Sequence, residues 1–462
     1  MKIVLVVLDA TRSDFLGPFG GRDGVTPTID TLADSGLTFT NCYSGAPWTP
    51  ASHATMFTGQ YPSHHDVRGP NLVYPTDGHY FPERLSACGI RTQAIGAEPW
   101  LSRTQGVSRG FTRFHDQSKT FENLREEGHH TFGDLPMLFR AGAKYGIEKF
   151  RAQFGTDYGA GQFALFLFQE WTRRADAFTF LNISVAHSPY DPPAVFQRRI
   201  GVDARSDDPF VDDQPVHAYI GGEAEPDADV WAEIRDRYRG GIAHADYLLG
   251  RALETVDDDT WIIVTADHGD NLGENQRMGH QFSLHDNLIN VPLVISHPSL
   301  DGHVRDDLVS HVDLAPTIYE IARQSGYDVS LPSGFPGRSL FDPVDDERVV
   351  FAEYGPPGPH INALLNNTEN IDSADIDRLY QVIRAAMTDE FKLLWYSDGR
   401  KELYRRGEED GPELSESHPE IVDDLLAAMD STLAPPQEAD MSDIDTYVRD
   451  DVKDTLEALG YL

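Results

Sequence analysis

Lysine is scarce in this chain. Lys2, Lys119, Lys144, Lys149, Lys392, Lys401 and Lys453 are all that occur in 462 residues. Lysine and arginine together number 38 against 75 aspartates and glutamates, a formal charge of −37. A field of that sign repels phosphate backbones and anionic bilayers, which excludes nucleic acid as a partner. The acid is spread along the whole chain and not gathered in one tail. Spread acid with little lysine is the composition of proteins from salt-loving organisms, where salt screens the self-repulsion.

Cysteine is also nearly missing. Cys42 and Cys88 make no disulfide framework and lack a metal-site spacing. No apolar run reaches the ~18–20 residues of a membrane span. The N-terminal MKIVLVVLDATRSD has an apolar run of about six residues, no small-residue cleavage site, and Asp9 directly after it, so it reads as a buried first strand and not a signal peptide. The chain reads as cytoplasmic.

What is present is enough apolar material, 40% of residues, for a large core. Several apolar runs are continuous, as in strands buried on both faces of a parallel sheet. Residues 3–8 end at Asp9, residues 178–185 end near His187, and residues 261–265 end at Asp267-His268. Helical patterns lie between them at 27–35, with Thr26 as N-cap and Gly36 as stop, and at 230–256. This is an α/β layout, in which ligands gather at the carboxyl ends of strands. Residues 117–177, with helical stretches at 135–154 and 162–174, read as an insertion in a catalytic domain of residues 1–345. Residues 203–229 read as an acidic surface loop. From 346 the texture changes: strands at 348–354 and 381–396 flank a polar loop at 355–378, and a helix at 420–433 precedes an acidic tail. Together these form a small C-terminal α+β subdomain.

The polar residues at the strand ends could do chemistry. Asp9 alone is an ordinary turn residue, and Asp267 alone is an ordinary helix cap beside an exposed His268. Thr49-Pro50, in APWTPASHATMFTG, fits a helix start with Thr49 as N-cap and proline at the first helical position. A hydroxyl there also faces free N–H groups and the positive end of the dipole, where an anion binds. His53, one turn on, can reach back along the same face. His187 in SVAHSPYDPP and His280 in RMGHQFSLHDN are unremarkable loop histidines when taken singly.

Taken together and in order, the segments resemble the sulfatase branch of the alkaline phosphatase superfamily. VVLDATRSDFLG resembles its opening strand and metal-binding aspartate. TPASHATMFTGQYPSHHDV resembles its nucleophile segment, YRGGIAHADYLLGRAL its long helix, and IVTADHGDNLGE, LINVPLVI, SHVDLAPTIYEIA and FKLLWYSDGRKELYRR its later segments. The resemblance implies an alkaline-phosphatase-like, doubly wound, mostly parallel sheet with helices on both faces. Counting back from Thr58-Gly59 places Thr49 at the nucleophile position, Ser52 at the motif serine and His53 at the motif arginine. Cys42 stands seven residues too early.

The departures from the family pattern carry information. Thr49 replaces the usual Cys or Ser, so no formylglycine is expected. A covalent threonine ester has no aldehyde exit and must be broken at phosphorus or sulfur. Ala10 replaces a second aspartate, Ala97 and Pro99 replace a lysine and a histidine, and His280 replaces a lysine. The implied metal set is Asp9, Thr49, Asp267 and His268. Its imidazole, where asparagine is frequent, favours Mn or Zn over Ca or Mg. The implied catalytic set is Thr49, His53, His187 and His280. The expected substrate is a small-molecule, glycan-linked or lipid-linked phosphate ester. A sulfate ester is the alternative, and a non-catalytic binding protein on the same fold is a second one. No motif marks the specific substrate or an oligomeric interface.

The charge yields a first prediction. Lowering salt from molar to about 0.01 M lengthens the screening distance to about 30 Å, so the melting temperature should fall. Equal melting temperatures at the two salt concentrations would remove the halophile reading.

Overall fold

Alternate side chains of the first strand face opposite layers. β1 (Ile3–Leu8) is apolar and buried at every position, as a central strand covered on both faces requires. Val4, Val6 and Leu8 pack with Ile29, Phe168, Ile234 and Leu249 on one side. Ile3, Leu5 and Val7 pack with Met56, Phe57, Ile318 and Ile321 on the other. Helices from different parts of the chain thus cover both faces. The computed structural model behind this description covers residues 1–116, 159–356, 361 and 379–436, apart from 70, 76–78, 97, 99, 174–175, 203–209, 212–215, 221, 281, 333, 344 and 346. The expected helix at 135–154, most of the 355–378 loop, Ala97, Pro99 and the acidic tail lie outside the described residues.

The central sheet continues with β2 (Leu37–Tyr43), β3 (Thr92–Gly96), β4 (Arg113–Asp116), β5 (Phe178–Ile183) and β6 (Trp261–Thr265). A two-stranded hairpin of β7 (Asn271–Leu272) and β8 (Met278–Gly279) follows β6. β9 (Asn290–Ser296), β10 (His303–Arg305) and β11 (Val309–Ser310) complete the nine-stranded sheet. Its order is β10-β2-β9-β6-β1-β5-β3-β4, with β11 also on β2. Only the pairings made by β9, with β2 and β6, are antiparallel. The sheet is therefore the mostly parallel, doubly wound one expected.

Helix α1 (Pro27–Ser35) has Thr26 and Gly36 at its ends, but the Thr26 side chain makes no capping bond. Its hydroxyl donates to Asp30 at 3.0 Å. The free amides of Thr28 and Ile29 go instead to Asp246, at 3.1 and 2.9 Å, on the long helix Ala228–Leu253. The first turn is capped by a tertiary partner, which a local pattern cannot show.

A second, antiparallel sheet follows, β12 (Val350–Tyr354), β13 (Ile383–Met387), β14 (Phe391–Tyr396) and β15 (Lys401–Arg405), in that order. The single strand expected over 381–396 is a hairpin. Thr388 breaks it by accepting the amides of Glu390 and Phe391 at 3.4 and 3.0 Å. Helix Pro419–Thr432 lays Val422, Leu425 and Met429 against Ala386, Leu393 and Leu403.

Lys392 on β14 fastens the two sheets. Its side chain is fully buried and its ammonium meets Asp286 at 2.6 Å and also Glu409. Asp286 opens the helical turn that feeds β9. Removing one member of a buried ionic group leaves the others uncompensated, at a cost of about 3–5 kcal/mol. Lys392→Met should lower unfolding free energy in urea by that amount. A loss below about 1 kcal/mol would show that the group is peripheral to stability.

Candidate active site

Strand register brings the acidic residues together. β1 and β6 are parallel neighbours with Val7 opposite Thr265, so Asp9 and Asp267 leave the sheet at the same level. His268 follows, and the nearest imidazole and carboxylate atoms of Asp9, Asp267 and His268 all lie within 4.8 Å of one another. His268 Nε2 is 3.4 Å from Asp267 Oδ2 and 4.0 Å from Asp9 Oδ1. All three residues are fully buried.

Each ligand atom is aimed from behind. Asp267 Oδ1 accepts the amides of Ala10 and His268 at 3.1 and 2.9 Å, and Asp9 Oδ2 accepts Asn182 Nδ2 at 3.2 Å. His268 Nδ1 donates to the Gly269 carbonyl at 2.8 Å, which leaves the lone pair on Nε2. Among the described residues, Asp9 Oδ1 and Asp267 Oδ2 have no hydrogen-bond partner. Burial first, and then the charge of Asp267, push the Asp9 carboxyl well above the usual carboxylate range. Two orphaned, buried carboxylate oxygens beside a bare imidazole nitrogen are the donor set of a divalent cation, and the residues fit one. Ala10, between the two loops, sits at φ 53°, a strained conformation for a residue with a Cβ. Its carbonyl accepts Tyr238 Oη at 2.6 Å.

Helix α2 (Thr49–Thr58) brings the hydroxyl. Trp48 is its N-cap, and no side chain caps it. The expectation that Thr49 is the cap is thus corrected by one position. Thr and Pro occupy the first two helical residues, where proline is still tolerated because those N–H groups are unpaired. The hydroxyl is therefore free of a capping duty and lies 3.2 Å from His268 Nε2, to which it donates. His53 is buried, with Nδ1 donating to the Thr49 carbonyl at 2.9 Å and 3.6 Å from Asp267 Oδ2. Burial lowers its pKa.

Three imidazoles line up beside this cluster. The His268 and His280 rings stack at 4.4 Å and 25°, and His187 meets His280 edge-on at 5.0 Å. The structure thus brings together every residue proposed from sequence: Asp9, Thr49, His53, His187, Asp267, His268 and His280. Burial, with smaller contributions from neighbours, lowers the pKa of His268 and of His280 to about 4. Both rings are neutral at pH 7.

Sequence reasoning missed several neighbours. Asn182, which holds Asp9, is a lone amide near the end of an apolar strand, a signal that could have been read. Ser52, which the sequence does mark as the motif serine, donates to the Asp267 carbonyl at 2.7 Å, and His311, which it does not mark, lies 3.4 Å from that hydroxyl and 3.2 Å from Thr265 and closes a buried layer behind the aspartate. Asp270 and Tyr190 stand behind His280. Only the folded chain shows these.

This frame defines a class, the hydrolases of alkaline-phosphatase-like fold. The phosphonate monoester hydrolase of Silicibacter pomeroyi superposes with a TM-score of 0.68 at 19% identity, over 96% of each chain. The sequence matches the Sulfatase family over residues 2–324, and the chain belongs to that family. It is 25% identical to the sulfatase YidJ of Escherichia coli, over 92% of this chain and 84% of that protein. It is also 25% identical to an arylsulfatase of Clostridium perfringens, over 92% of both. Among the described residues no helix is long and apolar enough to cross a membrane.

The orphaned carboxylates give a prediction whose sign depends on metal. In metal-free protein, Asp9→Asn should raise stability, because the amide removes the carboxyl that burial and the charge of Asp267 push up. With Mn²⁺ or Zn²⁺ at a hundred times its Kd, the unaltered protein should gain about 2.7 kcal/mol, and the variant little. Calorimetry showing no metal stabilisation of the unaltered protein would remove the metal site.

Proposed function

We propose that this sulfatase-family hydrolase cleaves phosphate esters, phosphodiesters foremost, through a covalent phosphoryl intermediate on Thr49. One observation carries the reading: a threonine hydroxyl at the start of α2, 3.2 Å from His268 Nε2 and beside Asp9 and Asp267. Asp9, Asp267, His268 and Thr49 would hold the divalent ion, with Mn or Zn favoured by the imidazole. When bound, the ion supplies positive charge that favours the ionised hydroxyl and polarises the ester.

The chain's own residues do the rest. Thr49 Oγ1 attacks phosphorus in line with the leaving group. A bond forms to Oγ1 and the bond to the leaving oxygen breaks; the unprotonated Nε2 of His187 or His280 takes up the proton given up by the Thr49 hydroxyl and passes it to that oxygen, while the other ring stands beside an equatorial oxygen. His53 keeps the first turn of α2 in place through the Thr49 carbonyl. Water, or an acceptor alcohol, then attacks phosphorus and frees Thr49. Threonine matters here because its ester cannot collapse to an aldehyde, as a formylglycine adduct does. A second reading is sulfate-ester hydrolysis, favoured by the arylsulfatase of Clostridium perfringens that the chain matches over its length. In both readings a small-molecule, glycan-linked or lipid-linked ester is the substrate.

Substitution separates the roles. Thr49→Ser should fold and keep part of the turnover, and Thr49→Ala should fold and lose it. His187→Ala and His280→Ala should each lower turnover roughly 10²–10⁴-fold with metal content retained. Aryl phosphodiesters should be cleaved faster than aryl sulfates. Sulfatase activity surviving in Thr49→Ala would overturn both the nucleophile and the phosphoryl preference.

A further inference from the structure

The four site histidines are not held alike. Nδ1 of His53, His187 and His268 each meets a backbone carbonyl, of Thr49 at 2.9 Å, Ser188 at 2.6 Å and Gly269 at 2.8 Å. A carbonyl only accepts, so each of these rings carries its proton on Nδ1. Among the described residues His280 has no such carbonyl. Its Nδ1 is buried without a hydrogen-bond partner and faces Asp270 Oδ1, equally buried and equally unpartnered, at 3.8 Å.

Asp270 is itself fixed. It is fully buried, and its other oxygen accepts the Tyr190 hydroxyl at 2.6 Å. The Tyr190 ring rests edge-on against Tyr238 at 5.3 Å, and Tyr238 donates to Ala10 in the Asp9 loop. The His280 ring lies between His268 and His187. A separation of 3.8 Å is too long for a hydrogen bond, but the two orphaned, buried atoms are neighbours, and such bonds are often long until a substrate is in place.

We propose that Asp270 is a positioning residue for His280. Its carboxylate accepts Nδ1–H, which fixes the ring plane and tautomer and leaves Nε2, across the ring, to exchange the proton with the leaving oxygen. Tyr190 keeps the carboxylate from turning away. A carboxylate buried behind an imidazole sets which nitrogen carries the proton. The inference rests on the catalytic role given to His280 above.

The test begins with the tautomer of the unaltered pair. In metal-free, full-length protein labelled with ¹⁵N-histidine, the resonances lost in His280→Gln identify the His280 ring. They should report a protonated Nδ1 and a bare Nε2. The opposite tautomer would overturn the proposal, whether or not any Asp270 variant folds. In metal-loaded enzyme, Asp270→Asn should lower kcat roughly 10–100-fold with KM and metal content unchanged. It should add nothing to the loss already caused by His280→Ala, because the two act as one unit. Additive losses would mean that Asp270 acts elsewhere. If His280→Ala is slow and Asp270→Asn is full-rate, the positioning role alone falls. If His280→Ala is itself full-rate, the catalytic assignment of His280 falls as well.

Discussion

Two carboxylates buried side by side, one of them pushed up by its burial and by the charge of the other, are the constraint around which this molecule is arranged. Asp9 and Asp267 leave adjacent parallel strands at one level because the register of β1 and β6 dictates it. Each has one oxygen satisfied by the protein and one with no partner. The sheet's continuous apolar strands exclude water from their surroundings, which makes the pair costly alone and strongly attractive to a cation. The fold supplies this tension, and the function proposed here uses it.

The other parts follow from serving that point. His53, His187 and His268 stand around it with their tautomers set by backbone carbonyls, so Nε2 of His268 faces the carboxylates as a bare donor atom. Helix α2 ends on the same spot, with its free N–H groups and the Thr49 hydroxyl turned toward where negative charge would develop. Ala10 is held in a left-handed conformation between the two acidic loops. The second sheet, fastened through Lys392 and Asp286, braces the segment between β8 and β9 from which His280 and its loop emerge.

Much of this was legible in the sequence, for identifiable reasons. β1, β6 and α1 were read at their full lengths because continuous apolar runs and proline–glycine punctuation are local signals. The site residues were found because chemistry-bearing side chains end those runs. Three things were not legible. The start of α2 was placed one residue late, because Thr-Pro suits either the cap or the first turn. The hairpin at 381–396 was merged into one strand, because its turn over Thr388, Asp389 and Glu390 has no glycine, proline or asparagine. Asp246 as the cap of α1, and Asp270 and Tyr190 behind His280, depend on contacts between residues far apart in the chain, on which periodicity is silent.

The central claim is that Thr49 forms the covalent bond. Its most direct measurement is intact and peptide mass spectrometry of metal-loaded enzyme, quenched in acid during turnover of an aryl phosphodiester. The account predicts a phosphoryl or alkylphosphoryl mass increment on the peptide carrying Thr49, localised to that residue and absent from Thr49→Ala. An active enzyme that shows no adduct under single-turnover conditions, or one that carries it on another residue, would contradict the account.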